Sequence, residues 1–253
     1  MKFNLNSKEL LQKLQFLSGI ISTNNAMPIL DNFHFDVNEK RLLVTASDLD
    51  NTIAAELKVN SAVDAKICIP AKMLIDILKL LPSQPIEFEI KENNQLEIIS
   101  ASGNYSLTYS DGDLFPKAKE VPNPAFFNIK SSALLSGISK TLFACGSDEL
   151  RQIMNGVHVR TKDGYLNFVA TDSHRLSLYA RNDIQGEFDI EVTIPKKPLS
   201  VLKSILSSND EEAVVFYNEN NIIIELSDYT ITIRLNDGKY PTYEAVIPKE
   251  SPK

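Results

Sequence analysis

Leu42-Leu43-Val44-Thr45-Ala46-Ser47-Asp48 recurs as Leu166-Asn167-Phe168-Val169-Ala170-Thr171-Asp172, 124 residues further on. The match extends outward from there. Phe3-Asn4-Leu5-Asn6-Ser7, followed by Leu10-Leu11, reappears as Phe127-Asn128-Ile129-Lys130-Ser131, followed by Leu134-Leu135. Ile29-Leu30-Asp31-Asn32 pairs with Ile153-Met154-Asn155-Gly156 at the same offset. After one inserted residue the offset becomes 125, linking Ile69-Pro70 to Ile194-Pro195 and Phe115-Pro116 to Tyr240-Pro241. One register held through almost a whole half of the chain means two homologous domains. The joint is expected at Val121-Pro122-Asn123-Pro124, dividing the chain into 1–122 and 123–253.

A smaller unit repeats within each half. A short strand at 3–5 leads into a helix over 7–20 with Ser7 as N-cap. Strands are expected at 32–37, 41–46, 51–59 and 66–69. Pro70 then opens a second helix running to 81, and strands at 86–91, 95–100 and 104–110 follow. Glu92-Asn93-Asn94 and Ala101-Ser102-Gly103 carry turn chemistry. Ile86-Glu87-Phe88-Glu89-Ile90 and Tyr229-Thr230-Ile231-Thr232-Ile233-Arg234 alternate, so one sheet face is solvated. The expected class is α+β: tandem domains, each of two βαβββ units, with helices on one side and antiparallel sheets outside.

Cys68 and Cys145, both in apolar runs, read as reduced core residues of a cytoplasmic protein. The first residues lack an apolar signal core, and no stretch reaches the roughly 18 apolar residues of a membrane span, so no membrane partner is expected. With nine glycines and three histidines there is neither a phosphate loop nor metal-ligand spacing, hence no expected cofactor or metal. His34 and His158 occupy matching strand positions and read as structural.

Charge is distributed unevenly. The chain carries −7 overall, but the helices expected at 7–20, 70–81, 131–145 and 195–206 hold eight lysines against Glu9 and Asp76. That is +6 on the helices and −13 elsewhere. Lys8, Lys13, Lys72, Lys79, Lys140, Lys196, Lys197 and Lys203 would form a basic face on an acidic protein, suited to sequence-independent contact with DNA phosphates.

Met27-Pro28-Ile29-Leu30, Ala46-Ser47-Asp48-Leu49-Asp50, Ile69-Pro70-Ala71-Lys72, Val169-Ala170-Thr171-Asp172-Ser173-His174-Arg175-Leu176 and Asp237-Gly238-Lys239-Tyr240-Pro241-Thr242-Tyr243 together resemble the first two domains of the bacterial DNA polymerase III β subunit, the sliding clamp. The resemblance implies the DNA-clamp fold, with the helices facing duplex DNA inside a homodimeric six-domain ring. It also implies a third domain, not represented in residues 1–253. The loop containing Asn24, often Arg-bearing in the family, would face DNA. By the same resemblance Met154, Thr171, Ser173, His174, Arg175, Leu176, Pro241, Ala245 and Val246 would line a groove for short apolar motifs of partners. Those partners would be the polymerase III α subunit, the clamp-loader δ subunit and other clamp-binding-motif proteins. Ala245 stands where many relatives have Arg, and Ser173 where Gly is common.

The run Asp172-Ser173-His174-Arg175 also invites a catalytic reading, a nucleic-acid hydrolase using Asp172 and His174. Against it, Asp48 matches Asp172 across the repeat while Asp50 stands where His174 does. Asp172 is therefore expected to shape a turn and the segment to serve recognition, with no catalytic residue. A structural repeat protein with no DNA role is the other alternative.

Overall fold

The structure, a computed structural model, describes residues 2–23, 25, 27–61, 64–184, 188–208 and 210–248. The chain divides into two compact units, 1–120 with 223–232 and 121–222 with 233–253. Residues 223–232 are held to the first unit in part by the backbone: Glu56 N–H donates to the Asp228 carbonyl at 2.9 Å.

In the first unit, one antiparallel sheet runs in the order 60–61, 2–6, 85–90, 95–100, 103–108. A second begins 110–111, 65–70, 32–38, 41–47, 51–58. Helices α1 (Ser7–Ser18) and α2 (Ala71–Leu80) pack on each other and cover this core. In the second unit 125–130 pairs with 212–217. A four-stranded sheet there runs 176–181, 165–171, 156–162, 191–195, and α3 (Ser131–Thr141) packs on α4 (Lys196–Leu206). Among the described residues, three of the four helices and the strands expected in the first unit agree with the structure to within two residues, and the short strands 60–61 and 110–111 are additional. The 131–145 helix is the exception, ending at Thr141 and continuing as a short 3₁₀ turn, Leu142–Ala144.

The first helix is capped differently from the expectation. Asn6 is the N-cap, its side-chain oxygen accepting from the N–H of Lys8 (2.9 Å) and of Glu9 (3.3 Å). Ser7 instead turns inward and donates its hydroxyl to the Pro82 carbonyl at 2.7 Å. Its repeat mate Ser131 does the same to Glu211 at 2.6 Å, so each unit sews the start of its first helix to the end of its second by the same hydroxyl. A buried serine that satisfies a loop carbonyl looks, in sequence, the same as an N-cap serine.

The register of the repeat is visible in strand pairing. His34 lies opposite Cys68 and Asp36 opposite Lys66; His158 lies opposite Thr193 and Arg160 opposite Glu191. Both cysteines are buried and free, and burial pushes their thiols up, Cys68 to about 12 and Cys145 to about 11.

Lys13 departs from the expected basic face. Only 8% of its side chain is exposed, and its ammonium donates to the Glu56 carbonyl (2.8 Å) and to the Asp228 carboxylate (2.9 Å) while lying 4.9 Å from the Tyr229 ring centre. Its repeat mate is Gly137. A Cβ there would stand 2.7 Å from the Phe168 ring, where the first unit has the smaller Val44. The second unit pairs a helix glycine with a large strand residue, and the first carries Lys13 and the smaller Val44 at the same two positions.

Candidate functional site

The site is a hairpin loop built twice. In the first unit Ser47 donates its hydroxyl to the Asn51 carbonyl (3.1 Å) and accepts from Leu49 N–H (3.1 Å), while Asp48 accepts from Asn51 N–H (2.8 Å). In the second unit Thr171 donates to the Arg175 carbonyl (2.8 Å) and accepts from Ser173 N–H (3.2 Å), while Asp172 accepts from Arg175 N–H (3.0 Å). The backbone repeats as well, with φ +77° at Leu49 and +74° at Ser173. Left-handed backbone disfavours side chains with a Cβ and explains why glycine suits position 173.

Both Asp172 oxygens are committed to this scaffold. Oδ1 accepts from the N–H of His174 and Arg175, and Oδ2 from Arg175 Nε, each at 3.0 Å. Those donors, the His174 amide first, hold its carboxyl below the usual range. A carboxylate so engaged orients a loop; it is poorly placed to draw a proton from His174.

Beneath the loop, Val169, Tyr240 and Tyr243 form a buried cluster with Ile153 and Leu176 packed against it. The Tyr240 hydroxyl accepts from Thr171 N–H at 3.1 Å, and its ring stacks on His158 at 4.4 Å. His158 is 3% exposed and shares a hydrogen bond with Thr193 Oγ1 at 3.1 Å. Burial lowers its pKa to about 4, overriding the opposite pull of Glu191 at 3.8 Å, so the ring is neutral at pH 7.

Of the residues expected at the groove, Thr171 is buried, Met154, Leu176 and Pro241 are half-buried, and Ser173, His174, Arg175, Ala245 and Val246 are exposed. Val246, 70% exposed, and Leu150, 94% exposed, are large apolar side chains in water. The structure brings Met154 and Ser173 together, Ser173 Oγ lying 3.5 Å from Met154 Sδ. It also brings in two residues absent from the sequence-based set. Arg151 donates to Ser173 Oγ at 2.7 Å and to Asp148 at 2.9 Å. Phe143 lies 5.7 Å from the Arg175 guanidinium. Arg151 sits at a non-helical kink in the 3₁₀ segment Glu149–Met154 and matches Met27 across the repeat, so neither pattern nor repeat marks it.

The remaining expected lysines, Lys8, Lys72, Lys79, Lys140, Lys196, Lys197 and Lys203, are all exposed. Lys79 lies 3.8 Å from Asp76, and Lys140 stands 4.2 Å above the Tyr179 ring. Asn24 falls outside the described residues. Among the described residues no cluster of three or more His, Cys, Asp or Glu could hold a metal, and no helix is long and apolar enough to cross a membrane.

Two homologous α+β units with paired helices and antiparallel sheets, and a specialised loop in the second only, define a DNA-clamp protein. Residues 1–119 match the N-terminal domain and 128–242 the central domain of the DNA polymerase III beta subunit. The beta sliding clamp of Synechococcus elongatus is 30% identical over 257 residues, covering 99% of this chain and 68% of that protein. That of Pseudomonas aeruginosa is 29% identical, covering 100% and 70%. Among solved structures, the DNA polymerase sliding clamp from Bacillus subtilis superposes with a TM-score of 0.91 at 27% identity, covering 99% of this chain and 68% of that one. A P. aeruginosa clamp bound to griselimycin gives 0.91 at 29% identity, with the same coverage. The chain therefore belongs to the DNA polymerase III beta subunit family. It is a DNA sliding clamp, a non-catalytic processivity factor of replication, which removes the hydrolase and the purely structural alternatives.

Proposed function

We propose that the groove beside loop 171–176 is where partner proteins dock, through short apolar motifs of the kind carried by the polymerase III α subunit and the clamp-loader δ subunit. The observation that carries this is the contrast within one scaffold. The loops 47–51 and 171–175 share their hydrogen bonds and left-handed residue, yet only the second continues into an apolar residue, Leu176, packed on Val169, Tyr240 and Tyr243, with Ser173 against Met154 Sδ. Met154 and Leu176 supply an adaptable apolar surface, with His174, Arg175 and Arg151 as polar rim. A related clamp from Pseudomonas aeruginosa is bound to griselimycin, which supports a ligand-accepting place on this fold. Ala245 removes one rim cation from the set that many relatives carry.

The seven exposed helix lysines meet the phosphates of duplex DNA, weakly enough to permit sliding. Lys13, bound to Asp228, takes no part. Residues 1–122 and 123–253 act as the first two clamp domains. Ring closure is homodimeric and uses the family's third domain, and the protein works in the cytoplasm. Titration of the full chain with a peptide ending in Leu-Phe, followed by backbone amide signals, tests the docking site.

A further inference from the structure

The repeat exposes a difference on the opposite unit. In the second unit Tyr243, 4% exposed, stands edge-on to His158 at 6.4 Å and to Tyr240 at 6.5 Å, completing a three-ring cluster. The first unit keeps the platform for such a ring: His34 stacks on Phe115 at 5.2 Å. It also keeps an ion pair beside the platform, with the charges exchanged. Arg160 and Glu191 lie 3.5 Å apart in the second unit, Asp36 and Lys66 3.9 Å apart in the first. It does not keep the ring. The residue at the place of Tyr243 is Ala118, and beside it opens a cavity of about 350 Å³ with His34, Phe115, Asp36 and Lys66 in its wall. Every residue lining it belongs to the first unit.

We propose that this cavity is a second docking site, which accepts the tyrosine side chain of a partner protein in the position that Tyr243 fills from within the chain. The volume lies in the range of ligand sites, and the stacked His34–Phe115 pair presents an edge and a face to an incoming ring. The polarity of the wall selects among rings. Where the second unit lines this place with Val169 and Leu176, the first has Thr45 and Thr52, and Asp36 can accept a hydrogen bond from a phenol. Thr52 Oγ1 already shares a hydrogen bond with Ser47 Oγ at 3.0 Å, so the groups to which a phenol adds a partner are Asp36 and Thr45, which phenylalanine or leucine would cover without that added hydrogen bond. The site is independent of the groove at Leu176.

The test uses the full chain, labelled for amide detection, with N-acetyl-tyrosinamide as probe and the phenylalanine and leucine amides beside it. The tyrosine probe should give saturable shifts at His34, Thr52 and Phe115, the phenylalanine probe a response several-fold weaker, and the leucine probe none. Ala118→Tyr should weaken the tyrosine probe at least tenfold by filling the cavity. Thr52→Leu, which copies Leu176, should weaken it several-fold and serves if the first variant does not fold. The capped peptide Pro-Thr-Tyr-Glu, the sequence of residues 241–244, should bind several-fold more tightly than the amide. No saturable shift, an equal response to leucine, or an unchanged response in a folded variant would overturn the site. Equal affinity for peptide and amide would overturn the partner protein and leave a site for a free phenol.

Discussion

Loops 47–52 and 171–176 are made by the same hydrogen bonds, yet they do different work. In the first, the scaffold ends in Leu49, Asp50, Asn51 and Thr52, and the Asn51 side chain folds back on Asp48 at 3.1 Å. In the second, the same positions hold Ser173, His174, Arg175 and Leu176, and the arginine takes over the contact with the aspartate. Duplication supplied a turn whose geometry is fixed by Asp and a hydroxyl residue. Specialisation then needed only the side chains that the turn displays. The lesson is that a conspicuous Asp-Ser-His-Arg run can be half scaffold, and the repeat separates the halves.

The sharpest way to break the comparison is to exchange what the units do not share. Gly137→Lys, which copies Lys13, places a side chain where even a Cβ meets Phe168 at 2.7 Å. It should cost more than about 3 kcal/mol in chemical denaturation; a near-neutral effect would mean that the interiors are interchangeable.

Acid should separate the two histidines next. Burial depresses the folded pKa of His158 from 6.5 to about 4, and that of His34 falls for the same reason. Between those values the unfolded state binds the extra proton, so stability rises with pH there. The contribution of His158 is fully present above pH 6.5 and is lost as pH falls toward 4, about 3 kcal/mol in all. A stability-against-pH curve should flatten in this window in His158→Gln more than in His34→Gln.

Tyr240→Phe copies Phe115 and leaves the Thr171 N–H without its partner at 3.1 Å. A loss of about 1–2 kcal/mol is expected, with faster amide exchange at Thr171. The smallest effect is at the shared left-handed position. Leu49→Gly should stabilise by at most about 1 kcal/mol, because relief of the φ +77° backbone is partly offset by the freedom of glycine in the unfolded chain. A thermal melt would register either sign.

Much of this was legible in the sequence. The repeat, four helices and the succession of strands along the chain follow from periodicity and register, and Asp172 as a turn residue follows from its match to Asp48. What escaped depends on contacts that no local pattern encodes. Lys13 falls among helix lysines, but its stem runs inward and its charge is met by Asp228, more than 200 residues away in sequence. Arg151 belongs to the loop only because a kinked 3₁₀ segment aims it at Ser173. The Tyr240 hydroxyl reaches Thr171 across 69 positions. The cavity beside Ala118 becomes visible only when the two folded units are compared.

The central claim is that docking of short apolar motifs belongs to the second loop alone. Amide signals of the full chain should be followed during titration with a peptide ending in Leu-Phe. Saturable shifts at Thr171, Leu176 and Val246, with Ser47, Asp48 and Leu49 unmoved, are the predicted result. Unchanged signals around Leu176 and Val246 at saturating peptide, or equal shifts in both loops, would contradict it.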